Sequence, residues 1–242
     1  VELVVATYNV HRWVGTDGRS DPGRARTVVG RLDADVLALQ EVEGAGPGRP
    51  DPLDVMAGWF GYRVLRGPTL QSRRGRFGNA LLTRLSVRGV RRIDLSVPGR
   101  EPRGALSAEL DAGVVGVTAI ATHLGLAARE RRWQVDRLAA EVDHATAPLV
   151  LVLGDMNEWL RGIGSLRPLH RRLGHARAVR TFPAHRPLLP LDRIWVSPRR
   201  RVAALGAVRT PLARLASDHL PVRAVVRLVA ASDGVRAGGG VR

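Results

Sequence analysis

Residues 149–157 read Leu-Val-Leu-Val-Leu-Gly-Asp-Met-Asn, and this stretch constrains the fold of the chain more than any other. Five consecutive Leu and Val residues describe a strand buried on both faces, as in sheets covered by other layers. The run stops at Gly-Asp-x-Asn. An Asx-type turn closing the strand accounts for those residues in structural terms. A ligand site accounts for them equally well, because α/β sheets bind ligands beyond the carboxyl ends of their strands. The other strand ends discriminate between the two.

From the amino terminus, Glu2–Asn9 is a β-branched strand ending in Tyr-Asn. Asp21-Pro22 opens a helix to about Leu32, with Asp at the N-cap and Pro in the first turn. Asp35–Val42 is a second buried strand ending near Gln40-Glu41. A short helix over Pro52–Trp59 and a strand at Tyr62–Leu65 come next. Gly67–Gly78, which carries Arg73, Arg74 and Arg76, reads as a basic loop. Strands are expected at Asn79–Thr83, Val87–Leu95, Gly104–Leu110 and Val114–Thr122, the last two forming a hairpin over Asp111–Gly113. The helix over Ala127–His144 places Trp133, Val135, Leu138, Ala139 and Val142 on an apolar face, with Arg and Glu on the other. After the 149–153 strand, a helix is expected at Ile163–Leu173 and strands at Leu191–Val196, Val202–Val208 and Leu220–Val229. This order is that of mixed sheets with helices outside them. One domain over residues 1–229 is expected, followed by a disordered Gly-rich tail over 230–242.

The 242 residues carry a formal net charge of +16, and every basic side chain is Arg. A field of that sign draws polyanions or an anionic membrane surface, although genome composition alone also produces Arg-rich surfaces. The chain has no Cys, which excludes disulfides, thiolate metal sites and Cys nucleophiles. No apolar run approaches the roughly 20 residues of a membrane-spanning helix. No basic segment precedes the apolar Val1–Val10, so a cytoplasmic location and a monomer are the expectations.

Polar groups recur at the strand ends: Asn9, Glu41, His123, Asp155 with Asn157, Asp192, and Asp218-His219. Each alone has an ordinary structural explanation. Together they are what phosphate-ester hydrolysis requires. A carboxylate with an amide partner holds Mg²⁺ through oxygen, a His beside a carboxylate holds or moves a proton, and amide donors stabilise oxygens that gain charge.

Tyr8-Asn9-Val10-His11, Gln40-Glu41, Gly78-Asn79-Ala80-Leu81-Leu82, Thr122-His123-Leu124, Gly154-Asp155-Met156-Asn157, Leu191-Asp192-Arg193-Ile194 and Ser217-Asp218-His219-Leu220-Pro221 occur in this order. The series resembles that of the endonuclease/exonuclease/phosphatase superfamily, which includes DNase I-like nucleases, abasic-site endonucleases, bacterial sphingomyelinases and inositol polyphosphate 5-phosphatases. The resemblance implies a four-layer α/β/β/α sandwich and a metal-dependent phosphoric ester hydrolase using Mg²⁺, with Mn²⁺ as an alternative. It makes Glu41 the principal metal ligand, supported by Asn9 and approached by Asp218. It gives Asp155 the attacking water, Asn157 a phosphoryl oxygen, and His219, oriented by Asp192, proton transfer or phosphate contact. His123 would contact the phosphate or assist the leaving group. Arg103, within Glu101-Pro102-Arg103-Gly104-Ala105, and Asn79 would bind substrate phosphate. Nucleic acid is favoured slightly as substrate. An anionic phospholipid or a phosphomonoester is the alternative within the fold, and a non-catalytic nucleic-acid-binding protein the alternative outside it.

Overall fold

The computed structural model describes residues 1–46, 48–72, 75–159 and 164–228. Eleven strands among them form two mixed sheets. The six-stranded sheet has the order β10-β11-β1-β2-β4-β3, with β1 at Glu2–Asn9, β2 at Val36–Glu43, β3 at Arg63–Ser72, β4 at Gly75–Thr83, β10 at Val202–Ala207 and β11 at Val222–Arg227. The five-stranded sheet has the order β5-β6-β7-β8-β9: Ser86–Asp94, Gly104–Asp111, Gly116–His123, Leu149–Asp155 and Asp192–Ser197. Helices α1 (Pro22–Leu32), α2 (Pro52–Phe60) and α5 (Pro211–Ala216) accompany the first sheet, and α3 (Ala128–Asp143) and α4 (Arg167–Leu173) the second.

Three apolar layers account for the continuous apolar strands. Leu3 and Val5 of β1 and Leu149, Leu151 and Leu153 of β8 meet between the sheets. The alternate residues Ala6 and Tyr8 face Val28, Val29 and Leu32 of α1. On the far side Val152 and Trp195 pack against Val135, Leu138 and Leu169 of α3 and α4. Both faces of each central strand are therefore buried, which is why their sequences do not alternate. The result is the expected α/β/β/α sandwich.

Strand direction gathers the polar ends. β1 runs parallel to β2, and β7 parallel to β8, so Asn9, Glu41, His123 and Asp155 leave at one end of the sandwich. β9 is antiparallel to β8 and β11 to β1, so their amino-terminal approaches, Asp192 and His219, lie at the same end. Register puts His123 opposite Asp155, and Asp155 opposite Asp192.

Local structure departs from expectation in three places. Gly67–Gly78 is mostly β-hairpin rather than loop: β3 continues to Ser72 and β4 starts at Gly75. β3 is an edge strand with a register shift at Pro68/Leu70, so Pro68 interrupts no central ladder. Arg73 and Arg74 lie outside the described residues, as do Ile163 and 229–242. In α3, Val135, Leu138 and Ala139 are buried as expected, but Trp133 is 42% exposed while Glu130, Arg131 and Gln134 are buried. The helix α5 and a 3₁₀ turn at His11–Trp13 were not indicated by the sequence pattern.

Candidate active site

Asp155 is the centre of the gathered strand ends. Its Oδ1 accepts from the Asn157 backbone N–H at 2.9 Å, an Asx turn closing β8. Its Oδ2 accepts from Asn9 Nδ2 at 3.1 Å and lies 3.6 Å from Nε2 of both His123 and His219. The turn that ends the strand is thus also the device that fixes the carboxylate.

Close strand approach is built into the sequence here. A Cβ on Gly154 would stand 1.9 Å from the Thr122 carbonyl oxygen of β7, so only glycine lets the strands bearing His123 and Asp155 come this near. Asn157 holds a left-handed φ of 49° and donates from Nδ2 to the Leu124 carbonyl at 2.8 Å, with His123 Nε2 at 3.1 Å.

Glu41 enters from the other sheet. A register shift between Leu39 and Val42 of β2, with Glu41 at φ 54°, bends its side chain into the cleft. Asn9 Nδ2 donates to Glu41 Oε1 at 3.0 Å as well as to Asp155, joining the two sheets' carboxylates. The Asn9 carbonyl accepts from Ser217 Oγ at 2.7 Å, and Ser217 Oγ accepts from the His219 N–H at 3.2 Å, which ties the last motif to the first.

The two histidines are driven in opposite directions. Burial pushes His123 down to about 3, outweighing the pull of Asp155 and reinforced by Arg103 and His219, so it is neutral near pH 7. Arg103 NH1 lies 3.2 Å from its Nδ1 and Asn157 Nδ2 3.1 Å from its Nε2; both neighbours only donate, so they compete for the single acceptor nitrogen of the neutral imidazole. Burial also opposes charge on His219, but Asp192 and Asp155 outweigh it and hold the imidazolium up to about 10. Its Nδ1 donates to Asp192 Oδ2 at 2.8 Å, and the Phe182 ring packs 4.9 Å away, centroid to centroid.

These groups open on a cleft of about 410 Å³ lined by Glu41, Arg103, His123, Asp155, Asn157 and His219. Asn9 and Asp192 stand behind it as buried supports. Two sequence candidates sit elsewhere. The Asp218 carboxylate, 32% exposed, faces His11 Nδ1 at 3.7 Å and is not part of the cleft lining. Asn79 lines an adjoining cavity of about 710 Å³ and donates to the Gly104 carbonyl at 2.9 Å, stitching β4 to β6. Arg103 is nine-tenths buried and engaged with His123 and, at 3.3 Å, with Glu101.

Sequence reasoning missed Arg12. His11, Arg12 and Trp13 hold successive left-handed φ of 45°, 54° and 66° without a glycine among them, a conformation that costs roughly 1 kcal/mol or more per residue. The strained turn carries the Arg12 guanidinium over the Phe77 ring at 4.4 Å on the cleft wall, and no glycine marks it in the sequence. Leu126 and Trp159, which line the same cleft, were missed as well.

Two arrangements bear on a metal. Glu41 offers a cleft-facing carboxylate steadied by an amide, a hard oxygen ligand of the kind Mg²⁺ favours. Ligand atoms of Asp155, Asp192 and His219 also lie within 4.8 Å of one another. In that second group the 2.8 Å hydrogen bond already occupies His219 Nδ1 and Asp192 Oδ2.

The profile of the Endonuclease/Exonuclease/phosphatase family matches residues 6–219. The chain is 31% identical to the uncharacterized protein YbhP of Escherichia coli (strain K12), over 93% of this chain and 96% of that one. An endonuclease/exonuclease/phosphatase structure from Beutenbergia cavernae DSM 12333 superposes with a TM-score of 0.74 at 25% identity, covering 94% of this chain and 72% of that chain. The structure of D. rerio TDP2 complexed with single strand DNA product superposes with a TM-score of 0.69 at 18% identity, covering 94% and 99%. The ordered motifs, the two-sheet sandwich and the family match agree: this chain belongs to the endonuclease/exonuclease/phosphatase family.

Proposed function

We propose that this protein is a Mg²⁺-dependent phosphodiesterase that hydrolyses a phosphate ester by in-line attack of water, with nucleic acid as its substrate class. The observation that carries the reading is the convergence on Asp155 Oδ2 of the Asn9 hydrogen bond and, at 3.6 Å, of Nε2 of both His123 and His219, beside a cleft-facing Glu41. A structural Asx turn needs no such ring.

Glu41 would hold the metal, with Asn9 fixing its carboxylate, and Mg²⁺ there would neutralise charge on phosphoryl and leaving oxygens. The Glu41 environment suits the ion better than the Asp155–Asp192–His219 group, whose nearest atoms are already hydrogen-bonded to each other. Asp155 orients the attacking water and draws its proton as attack proceeds. His219, cationic and anchored by Asp192, donates from Nε2 to a phosphoryl oxygen and stabilises the charge that builds there. Neutral His123 and the Asn157 amide, both lining the cleft beside Asp155, contact the other phosphoryl oxygens. Arg103 acts through His123 by holding its ring in place, and Arg12 grips a flanking phosphate at the rim.

Net charge of +16 supports a polyanionic substrate. The fold neighbour TDP2, bound to single strand DNA product, adds to the same choice. The test is a panel of single-stranded DNA, RNA, plasmid, sphingomyelin, glycerophospholipid and inositol phosphates, each with Mg²⁺ and with EDTA. Mg²⁺-dependent cleavage of a nucleic acid is expected. Preferential lipid or phosphomonoester hydrolysis would shift the substrate class, and an inert panel would remove the enzyme reading.

A further inference from the structure

Helix α3 buries charge that the proposed reaction does not use. Arg131 is 2% exposed, yet its guanidinium donates to the backbone carbonyls of Gly125 and Leu126 and pairs with Glu158 Oε2 at 3.4 Å. Glu158, equally buried, also accepts from the Ser165 hydroxyl. Gln134 receives the Gly125 N–H at 2.8 Å. Burying such a pair costs several kcal/mol of desolvation per ion, so it is a poor stabilising device. What the network accomplishes is geometric: it bolts the segment leaving β7 to the segment leaving β8.

Those two segments each carry an exposed apolar side chain. Leu126 is 64% exposed and Trp159 39% exposed, and both line the cleft that holds His123 and Asn157. The Arg131 guanidinium lies 5.3 Å from the Trp159 ring centroid, so the ring is mounted on a fixed cation. Arg12, over Phe77, lines the same cleft. Exposed apolar side chains, buried polar groups and a cation thus line one cleft, the kinds of contact that the base and phosphates of a nucleic-acid strand take. A duplex keeps its rings stacked on one another, whereas a single strand offers them to an aromatic shelf.

We propose that Trp159 with Leu126 is a base-stacking subsite that makes single-stranded nucleic acid the preferred substrate, an assignment that rests on the phosphodiesterase reading. Its role is substrate selection rather than chemistry. An acyl chain is disfavoured as occupant, because two side chains above a buried cation make a small apolar surface in a chain of strongly positive charge.

The experiment measures binding by anisotropy of a labelled ten-nucleotide single strand in EDTA, so that no hydrolysis is needed. Competitors are an abasic strand of equal length and phosphate count, a duplex, and phosphatidylglycerol vesicles. Wild type should bind the normal strand roughly 5- to 150-fold more tightly than the abasic one, the span of one stacked base. Trp159→Ala should erase that difference and leave abasic binding unchanged, while Trp159→Phe retains most of it. Equal binding of normal and abasic strands overturns the proposal, as does no strand binding at all, or equal weakening of both strands by Trp159→Ala. Vesicle binding that falls in Trp159→Ala while strand binding does not assigns the shelf to lipid and overturns it too. Hydrolysis with Mg²⁺, assayed in parallel, separates the two claims: cleavage without base preference removes only the shelf, whereas no cleavage removes the phosphodiesterase reading.

Discussion

Asp192, buried behind the cleft, accepts a 2.8 Å hydrogen bond from Nδ1 of the cleft-lining His219, with Asp155 3.6 Å from the other ring nitrogen. This relationship fixes both the orientation and the charge of the imidazole. Asp192→Asn removes the charge that outweighs burial and allows the wrong tautomer. Its kcat should fall by roughly 100-fold or more, with little change in KM. Steady-state kinetics check this, and an unchanged kcat would detach the pair from the reaction.

Two histidines with opposite shifts shape stability against pH. For His219, the folded value of about 10 exceeds the ordinary 6.5, so its stabilisation is complete below pH 6.5 and disappears as pH rises towards 10. For His123, about 3 when folded, the unfolded chain gains the proton first, so stability falls as pH drops from 6.5 towards 3. Each limb should slope by at most about 1.4 kcal/mol per pH unit. Urea unfolding across pH 4–10 should show a maximum near neutrality. His219→Gln should flatten the alkaline limb and His123→Gln the acid limb, and limbs insensitive to both variants would contradict the assignment.

Asn157→Ala deletes the donor aimed at His123 and the cleft while leaving the Asp155–Asn157 backbone turn in place. A loss of roughly 10²- to 10³-fold in kcat is expected, the usual scale for one donor to a charged oxygen. A circular dichroism spectrum like that of wild type, with activity retained, would show that the amide serves only the Leu124 carbonyl.

Gly154→Ala places a methyl group 1.9 Å from the Thr122 oxygen. Forcing β7 and β8 apart should cost about 3 kcal/mol of stability and separate His123 from Asp155. Thermal unfolding measures the first effect and residual activity the second.

Much of the scaffold was legible in the sequence because local signals and burial agreed. Asp21 accepts from the Gly23 N–H at the start of α1, as its Asp-Pro signature implied. β1 and β8 occupy the apolar runs that named them. Agreement failed where tertiary context decided the outcome. The glycines and arginines of 67–78 suggested a loop, but the edge strand β3 and its partner β4 occupy most of that stretch. Periodicity put Trp133 inside α3 and Arg131 outside, because it is blind to the carbonyls and the carboxylate waiting for Arg131. In the site, residues attached to strand ends could be named, since parallel and antiparallel ends converge. Arg12 and Trp159 could not, because a strained turn and a buried ion-pair mount leave no local pattern. The adjacent Asp218 and His219 illustrate the limit: one faces His11 at the rim and the other lines the cleft.

The most direct measurement is a Mg²⁺ titration of the initial hydrolysis rate of the best single-stranded substrate, comparing wild type with Glu41→Gln. Wild type should show saturable activation by Mg²⁺ that EDTA abolishes, and Glu41→Gln should be slower by at least roughly 100-fold with a midpoint moved to higher Mg²⁺. Full activity in Glu41→Gln, or a wild-type rate indifferent to Mg²⁺ and EDTA, would contradict a metal-dependent phosphodiesterase centred on Glu41 and Asp155.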